Sequence, residues 1–249
     1  MANPMEQFEV VTKVPLKLGA YDVSFTNSSE WMLVALAAVS AFLFIGTAKP
    51  ALVPNRAQAA VEYLYDFVRK MLDENVGPEG RRFVPLIFSV FIFVLGCNIL
   101  GLIPWIGAFT PTSHVSVTLA LALIVFVKVV IVGFARHGLH FFALFWPHGA
   151  NVVLGVFVFV IEFLSFLSRP FTLAIRLFAN MTAGHVLLKV FGTFVVALGS
   201  FGALPYVFGI VPLGVDVALT GLEVLIAVVQ AYVFALLASL YLNDAINLH

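Results

Sequence analysis

The chain has 249 residues, 62% of them hydrophobic and 10% charged, with 26 Phe, a mean hydropathy of +1.08 and no formal net charge. A soluble domain carries roughly 25% charged and 45–50% apolar residues, so this composition excludes an ordinary globular enzyme, a disordered chain and, lacking a basic excess, a nucleic-acid binder. The one cysteine, Cys97, excludes an internal disulfide; in the run Phe-Val-Leu-Gly-Cys-Asn-Ile-Leu it reads as a small packing residue.

The charges map the chain. Residues 1–30 carry Glu6, Glu9, Lys13, Lys17, Asp22 and Glu30 and read as a polar tail. Without a basic n-region or a small-residue cleavage site it is no signal peptide and is expected in the mature chain. Residues 31–48 are uncharged and long enough for a first span, with Trp31 as an interfacial anchor. In 49–82, Lys49, Arg56, Arg69, Lys70, Arg81 and Arg82 mix with Glu62, Asp66, Asp73, Glu74 and Glu79. Val61, Leu64, Tyr65, Val68 and Leu72 recur at helical spacing, which predicts an amphipathic helix on the cytoplasmic membrane surface.

Residues 83–135 hold a predicted hairpin of two spans, near 84–104 and 115–135. It turns at Gly101, Pro104, Gly107, Pro111, Thr112 and Ser113. Lys128, Arg136, His137, His140 and His148 follow; without a carboxylate or thiol nearby, these histidines read as interfacial and no metal site is expected. Lys and Arg concentrate in 49–82 and 128–148 and are missing from the turns at 104–115 and 199–215. The positive-inside rule then puts the amino terminus outside and, after five crossings, the carboxyl terminus inside.

Residues 149–249 carry Glu162, Arg169, Arg176, Asn180, His185, Lys189, Asp216, Glu223, Gln230 and Asp244 within apolar sequence. Ionisable groups at such positions mark an ion or proton path by default. The stretch 150–198 has no strong break except Arg169-Pro170, and as one helix it would run about 75 Å, too long to stand upright. It must tilt or bend, with Pro170 as the bend. The competing reading, two upright spans cut at Arg169-Pro170, lacks turn chemistry there.

A turn at Gly199-Ser-Phe-Gly-Ala-Leu-Pro205 folds the last helix back. A hairpin centred at 203–204 sets His185 opposite Glu223 and Arg176 opposite Gln230. Glu162, Arg169 and Arg176 recur every seven residues on one face, with Ser165 and Asn180 near it. Asp216, Glu223, Gln230 and Asp244, spaced by seven or fourteen residues, likewise share one face of the last helix. His185 lies about 13.5 Å beyond Arg176 and on roughly the opposite side of a straight helix, so two offset polar faces meet near one cation. The fold class is thus an all-α integral membrane protein with about five crossing helices and one amphipathic surface helix, the last two long, tilted and paired antiparallel.

The segment Ser168-Arg-Pro-Phe-Thr-Leu-Ala-Ile-Arg-Leu-Phe-Ala-Asn-Met-Thr-Ala-Gly-His185 closely resembles the signature of subunit a of F-type ATP synthases, and the charge layout extends the resemblance over essentially the whole chain. Many bacterial members have Glu where this chain has His185 and His where it has Glu223. The swapped arrangement resembles mitochondrial and alphaproteobacterial members.

The resemblance implies a stator facing a rotating ring of small c-type subunits with buried carboxylates. It also implies b-type peripheral-stalk subunits, indirect coupling to a catalytic head, contact with membrane lipid, and a bacterial inner membrane rather than a mitochondrial one. Arg176 would take the role of the stator arginine. His185, Glu223, Asn180, Gln230 and Asp216 would line an outer half-channel, Asp216 either collecting protons or serving as a plain interface charge. Glu162 and Ser165 would line the cytoplasmic one, and Arg169 would line it too or bind lipid phosphate. Lys189, off the Arg176 stripe, reaches toward the outer interface.

No phosphate-cradling Gly-x-x-x-x-Gly-Lys-Ser/Thr segment exists, so ATP chemistry belongs to other chains, this chain alone catalyses nothing, and no cofactor is expected. The competing functions are a secondary ion-coupled transporter, which would show internal repeats that are missing here, and an assembly or insertion factor, which would need no His185–Glu223 pair in register.

Overall fold

The computed structural model describes residues 9–15, 17–18, 21–22, 24–103, 109–146, 152–199 and 205–247. Glu6, Pro104, Gly107, His148 and the 200–204 turn lie outside the described residues. Among the described residues, five helical stretches are long and apolar enough to cross a membrane: Asn27–Thr47, Pro78–Gly101, Val115–Phe145, Val153–Ala197 and Leu213–Ile246. A sixth helix is amphipathic, and the fold is all-α apart from short strands near the amino terminus.

The helices are α1 (Asn27–Thr47), α2 (Arg56–Asn75), α3 (Val84–Gly101), α4 (Val115–His137), α5 (Val152–Gly199) and α6 (Pro205–Ile246). The chain divides into two compact units. The first comprises Met1–Val39, Phe93–His114 and Leu177–Ala231; the second comprises Ser40–Ile92, Val115–Arg176 and Tyr232–His249. The division cuts α5 after Arg176 and α6 after Ala231.

In the first unit, the polar amino-terminal segment folds into two small antiparallel strand pairs, one nested within the other in sequence. Strand β1 (Thr12–Val14) pairs with β4 (Phe25–Thr26), and β2 (Lys17–Leu18) pairs with β3 (Tyr21–Asp22). Asn27 joins the outer pair to α1: its Oδ1 accepts from Val11 N at 3.2 Å and its Nδ2 donates to Glu9 O at 2.9 Å. Lys13 pairs with Glu30, an acidic residue in the first helical turn, where the helix dipole favours negative charge.

The core of this unit is built from Val94, Cys97, Leu177, Met181, Ala227 and Ala231, with Cys97 fully buried. Alanines four residues apart on α6 let a neighbouring backbone approach closely. Asn98, also fully buried, uses that closeness: its Nδ2 donates to Ala227 O at 3.1 Å and its Oδ1 accepts from Thr112 Oγ1 at 2.7 Å.

In the second unit, α2 begins at Asn55, whose Oδ1 accepts from Gln58 N at 2.8 Å and so satisfies one of the free donors of the first turn. Val61, Val68, Met71 and Leu72 are buried on one face of α2. Gly46 of α1 meets that face: a Cβ there would fall 3.1 Å from Val61 Cβ. Tyr65 and Phe67 reach Phe88 and Phe91 of α3 at 5.5 and 6.0 Å between ring centres. Past the end of α2, Arg81 donates to Asp73 at 2.9 Å and holds that carboxyl below the usual carboxylate range. A 3-10 turn, Gly138–Phe145, follows α4 after Gly138 at φ +57, a conformation glycine adopts without strain. It places Phe145 among Phe159, Phe163 and Phe166 of α5 at 5.9, 5.6 and 5.3 Å.

Helix α5 runs unbroken for 48 residues with Pro170 inside it. Proline removes the N–H that would bond the carbonyl of Phe166. Hydroxyl donors crowd the same turns: Ser168 Oγ donates to Ser165 O at 2.7 Å and Thr172 Oγ1 to Arg169 O at 2.9 Å.

Candidate functional site

Two polar clusters lie along α5 and α6, one in each unit. In the first unit, His185 projects from α5 toward Glu223 of α6, with Nδ1 3.2 Å from Oε1. Glu223 is only 2% exposed although it sits in the middle of an apolar helix. Its two oxygens make no hydrogen bond among the described residues, so the contact with His185 is a close approach of two titratable groups rather than a locked bond. Gly184 makes the approach possible: a Cβ there would stand 2.8 Å from Glu223 Oε1.

On the other side of the imidazole, Nε2 lies 2.7 Å from Thr110 Oγ1. Thr182, one turn earlier on α5, donates to Ser113 O at 3.3 Å. Gln230 is buried two turns along α6 from Glu223, whereas Asn180 is exposed on α5. Asp216 is half-buried, and its Oδ1 has no hydrogen-bond partner among the described residues. Lys189 is exposed.

In the second unit, Arg169 Nη1 donates to Asp244 Oδ2 at 2.6 Å, and the guanidinium lies 4.9 Å from the Tyr241 ring and 5.3 Å from Phe166. A guanidinium tolerates partial burial when its fork meets a carboxylate and its face meets aromatic rings. Glu162 joins Arg169, Asp244 and Phe166 in lining a cavity of about 200 Å³, together with Leu144 and Phe145. Ser165 is exposed on the same helix. Arg176, the last residue of α5 in this unit, is exposed beside Phe171 and Ile175, which are 47% and 56% exposed.

The structure therefore brings together His185 with Glu223, and Glu162 with Arg169. It adds Thr110 to the first cluster and Asp244 to the second, two residues that sequence reasoning did not place in the site. Thr110 sits in a segment that reads as turn chemistry. The usable signal was its neighbourhood, since Asn98, Thr110, Thr112 and Ser113 are polar groups within the longest uncharged stretch of the chain. Asp244 shares the seven-residue spacing of Glu223 and Gln230, and its partner Arg169 shows on which side it works. Of the histidines after α4, His137 donates from Nε2 to Ile246 O at 3.1 Å. No group of three His, Cys, Asp or Glu among the described residues could hold a metal ion.

The family described as ATP synthase A chain matches residues 29–243. A protein of Paramagnetospirillum magneticum named ATP synthase subunit a is 53% identical over 251 residues, covering all of both chains. Its namesake in Rhodospirillum rubrum is 48% identical over 249 residues, again covering all of both. That of Pelagibacter ubique is 50% identical over 248 residues, covering 99% of this chain and 98% of its own. With residues 29–243 matched by the family and relatives near 50% identical along the whole chain, the chain belongs to the ATP synthase A chain family, the subunit a family.

Proposed function

We propose that this chain is the proton-translocating stator of an F-type ATP synthase and works through two offset half-channels. The observation that carries the reading is the buried Glu223 carboxylate at 3.2 Å from His185 in the middle of an apolar hairpin. In the outer half-channel, His185 and Glu223 pass protons, imidazole being suited to exchange near neutral pH. Asn180, Gln230 and Asp216 supply hydrogen-bonding sites along the way. In the cytoplasmic half-channel, Glu162 and Arg169 lead protons through the small cavity that Asp244 also lines, with Ser165 exposed on the same helix.

Arg176 comes between the two sets of residues along the sequence of α5. A guanidinium favours the ionised form of a carboxylate that comes to face it, so an arriving ring carboxylate gives up its proton there. Because Arg keeps its own proton, it cannot pass one onward and short the two half-channels. Each charge crossing a potential of 100 mV is worth about 2.3 kcal/mol, to which the pH gradient adds.

The partners in this reading are a ring of c-type subunits on the Arg176 side, b-type stalk subunits, the catalytic head through them, and membrane lipid. The chain sits in a bacterial inner membrane with its amino terminus in the periplasm and its carboxyl terminus in the cytoplasm. The test is ATP-driven proton pumping in inverted vesicles carrying Arg176→Ala, with assembly of the complex measured alongside. Assembled complex without pumping is expected. Pumping at the normal rate without Arg176 would sink the mechanism and favour a transporter.

A further inference from the structure

The segment before α4 supplies His185 with a partner on the side away from Glu223. Thr110 is 4% exposed, and its Oγ1 lies 2.7 Å from His185 Nε2 while Nδ1 faces Glu223. We propose that Thr110 is a positioning residue for proton transfer: its hydroxyl fixes the His185 ring so that Nδ1 is presented to Glu223. The inference rests on the reading of His185 and Glu223 as the outer proton relay.

The chemistry of the two ring nitrogens gives the reason. A neutral imidazole has one N–H and one lone pair, and an ionised carboxylate can only accept. With Glu223 at Nδ1, the ring proton belongs on Nδ1, and Nε2 accepts the Thr110 O–H. When the ring takes a second proton, Nε2–H donates, and the same hydroxyl rotates to accept it. A hydroxyl serves both states, whereas a backbone N–H or a carbonyl in its place would fit only one.

The threonine is itself held. Ser113 donates to Thr110 O from its backbone N at 3.0 Å and from its Oγ at 2.6 Å. The Phe109 and His114 rings stack on each other at 4.8 Å on either side of the segment. Thr112 bonds Asn98, and Asn98 bonds Ala227 O, one turn along α6 from Glu223. Gly101 leaves room for the side chain, since a Cβ there would lie 2.7 Å from Thr110 Cβ. The hydroxyl and the carboxylate that share His185 are thus tied to one small hydrogen-bonded frame.

The test compares Thr110→Val, Thr110→Ser, His185→Ala and the Thr110→Val/His185→Ala double variant, reading ATP-driven proton pumping in inverted vesicles per assembled complex. Valine keeps the shape without the hydroxyl, and pumping is expected to fall on the order of tenfold. Serine restores the donor and acceptor and is expected to stay within about twofold of wild type. The double variant is expected to pump no more slowly than His185→Ala, because a residue acting through another adds no separate loss.

Wild-type pumping by Thr110→Val beside an impaired His185→Ala would overturn this inference alone, as would losses that multiply. Normal pumping by His185→Ala would remove the relay reading and this inference with it. A second measurement needs no Thr110 variant. The imidazole 15N spectrum of the wild-type complex, with His185 identified by its loss in His185→Ala, is expected to show the neutral ring protonated on Nδ1. A ring protonated on Nε2 would overturn the proposal.

Discussion

At the scale of single residues, the site depends as much on missing atoms as on polar groups. Gly184 has no side chain, and that is what lets Glu223 come close to α5. In Gly184→Ala the new methyl would have to push the carboxylate aside, and overpacking of this kind costs about 1–3 kcal/mol. The expected outcome is an assembled complex with lower thermal stability and severely reduced pumping; unchanged pumping in Gly184→Ala vesicles would show that the approach of Glu223 to α5 is not needed. His185 facing Glu223 was legible in the sequence, because one turn position sets the register of a whole antiparallel hairpin. Thr110 was not, because its contact with His185 joins positions 75 residues apart, and no local periodicity records such a meeting.

At the scale of elements, length and uncharged composition were enough to locate the apolar helices, and helical spacing of Val61, Val68 and Leu72 was enough to mark α2. The strand pairs between Thr12 and Thr26 were hidden, since strands of two or three residues carry too little alternation to stand out from a polar tail. Pro170 shows the other limit: the sequence offers a break or a bend there, and the helix runs on through it. The start of α2 gives a test at this scale. Removing the Asn55 cap in Asn55→Ala is expected to lower helix stability by about 1 kcal/mol, seen as faster amide exchange in the first turn, with Asn55→Asp close to wild type. Equal exchange in all three would mean the cap bond with Gln58 contributes nothing.

At the scale of the whole molecule, the unit boundary falls immediately after Arg176, so the residues read as the outer path and those read as the cytoplasmic path belong to different compact bodies on one continuous helix. In the proposed topology the two ends of the chain lie on opposite sides of the membrane. That assignment can be read with thiol chemistry, because the lone cysteine is fully buried and an aqueous maleimide should leave the wild-type chain unlabelled. Val10 and Asn247 are both exposed. Val10→Cys is expected to react with an impermeant reagent in intact cells and Asn247→Cys only after permeabilisation; the reverse pattern would invert the topology. By sealing Cys97 beside Asn98, the fold leaves itself a blank background, on which a single introduced sulfhydryl at any position along α5 or α6 can report where water reaches.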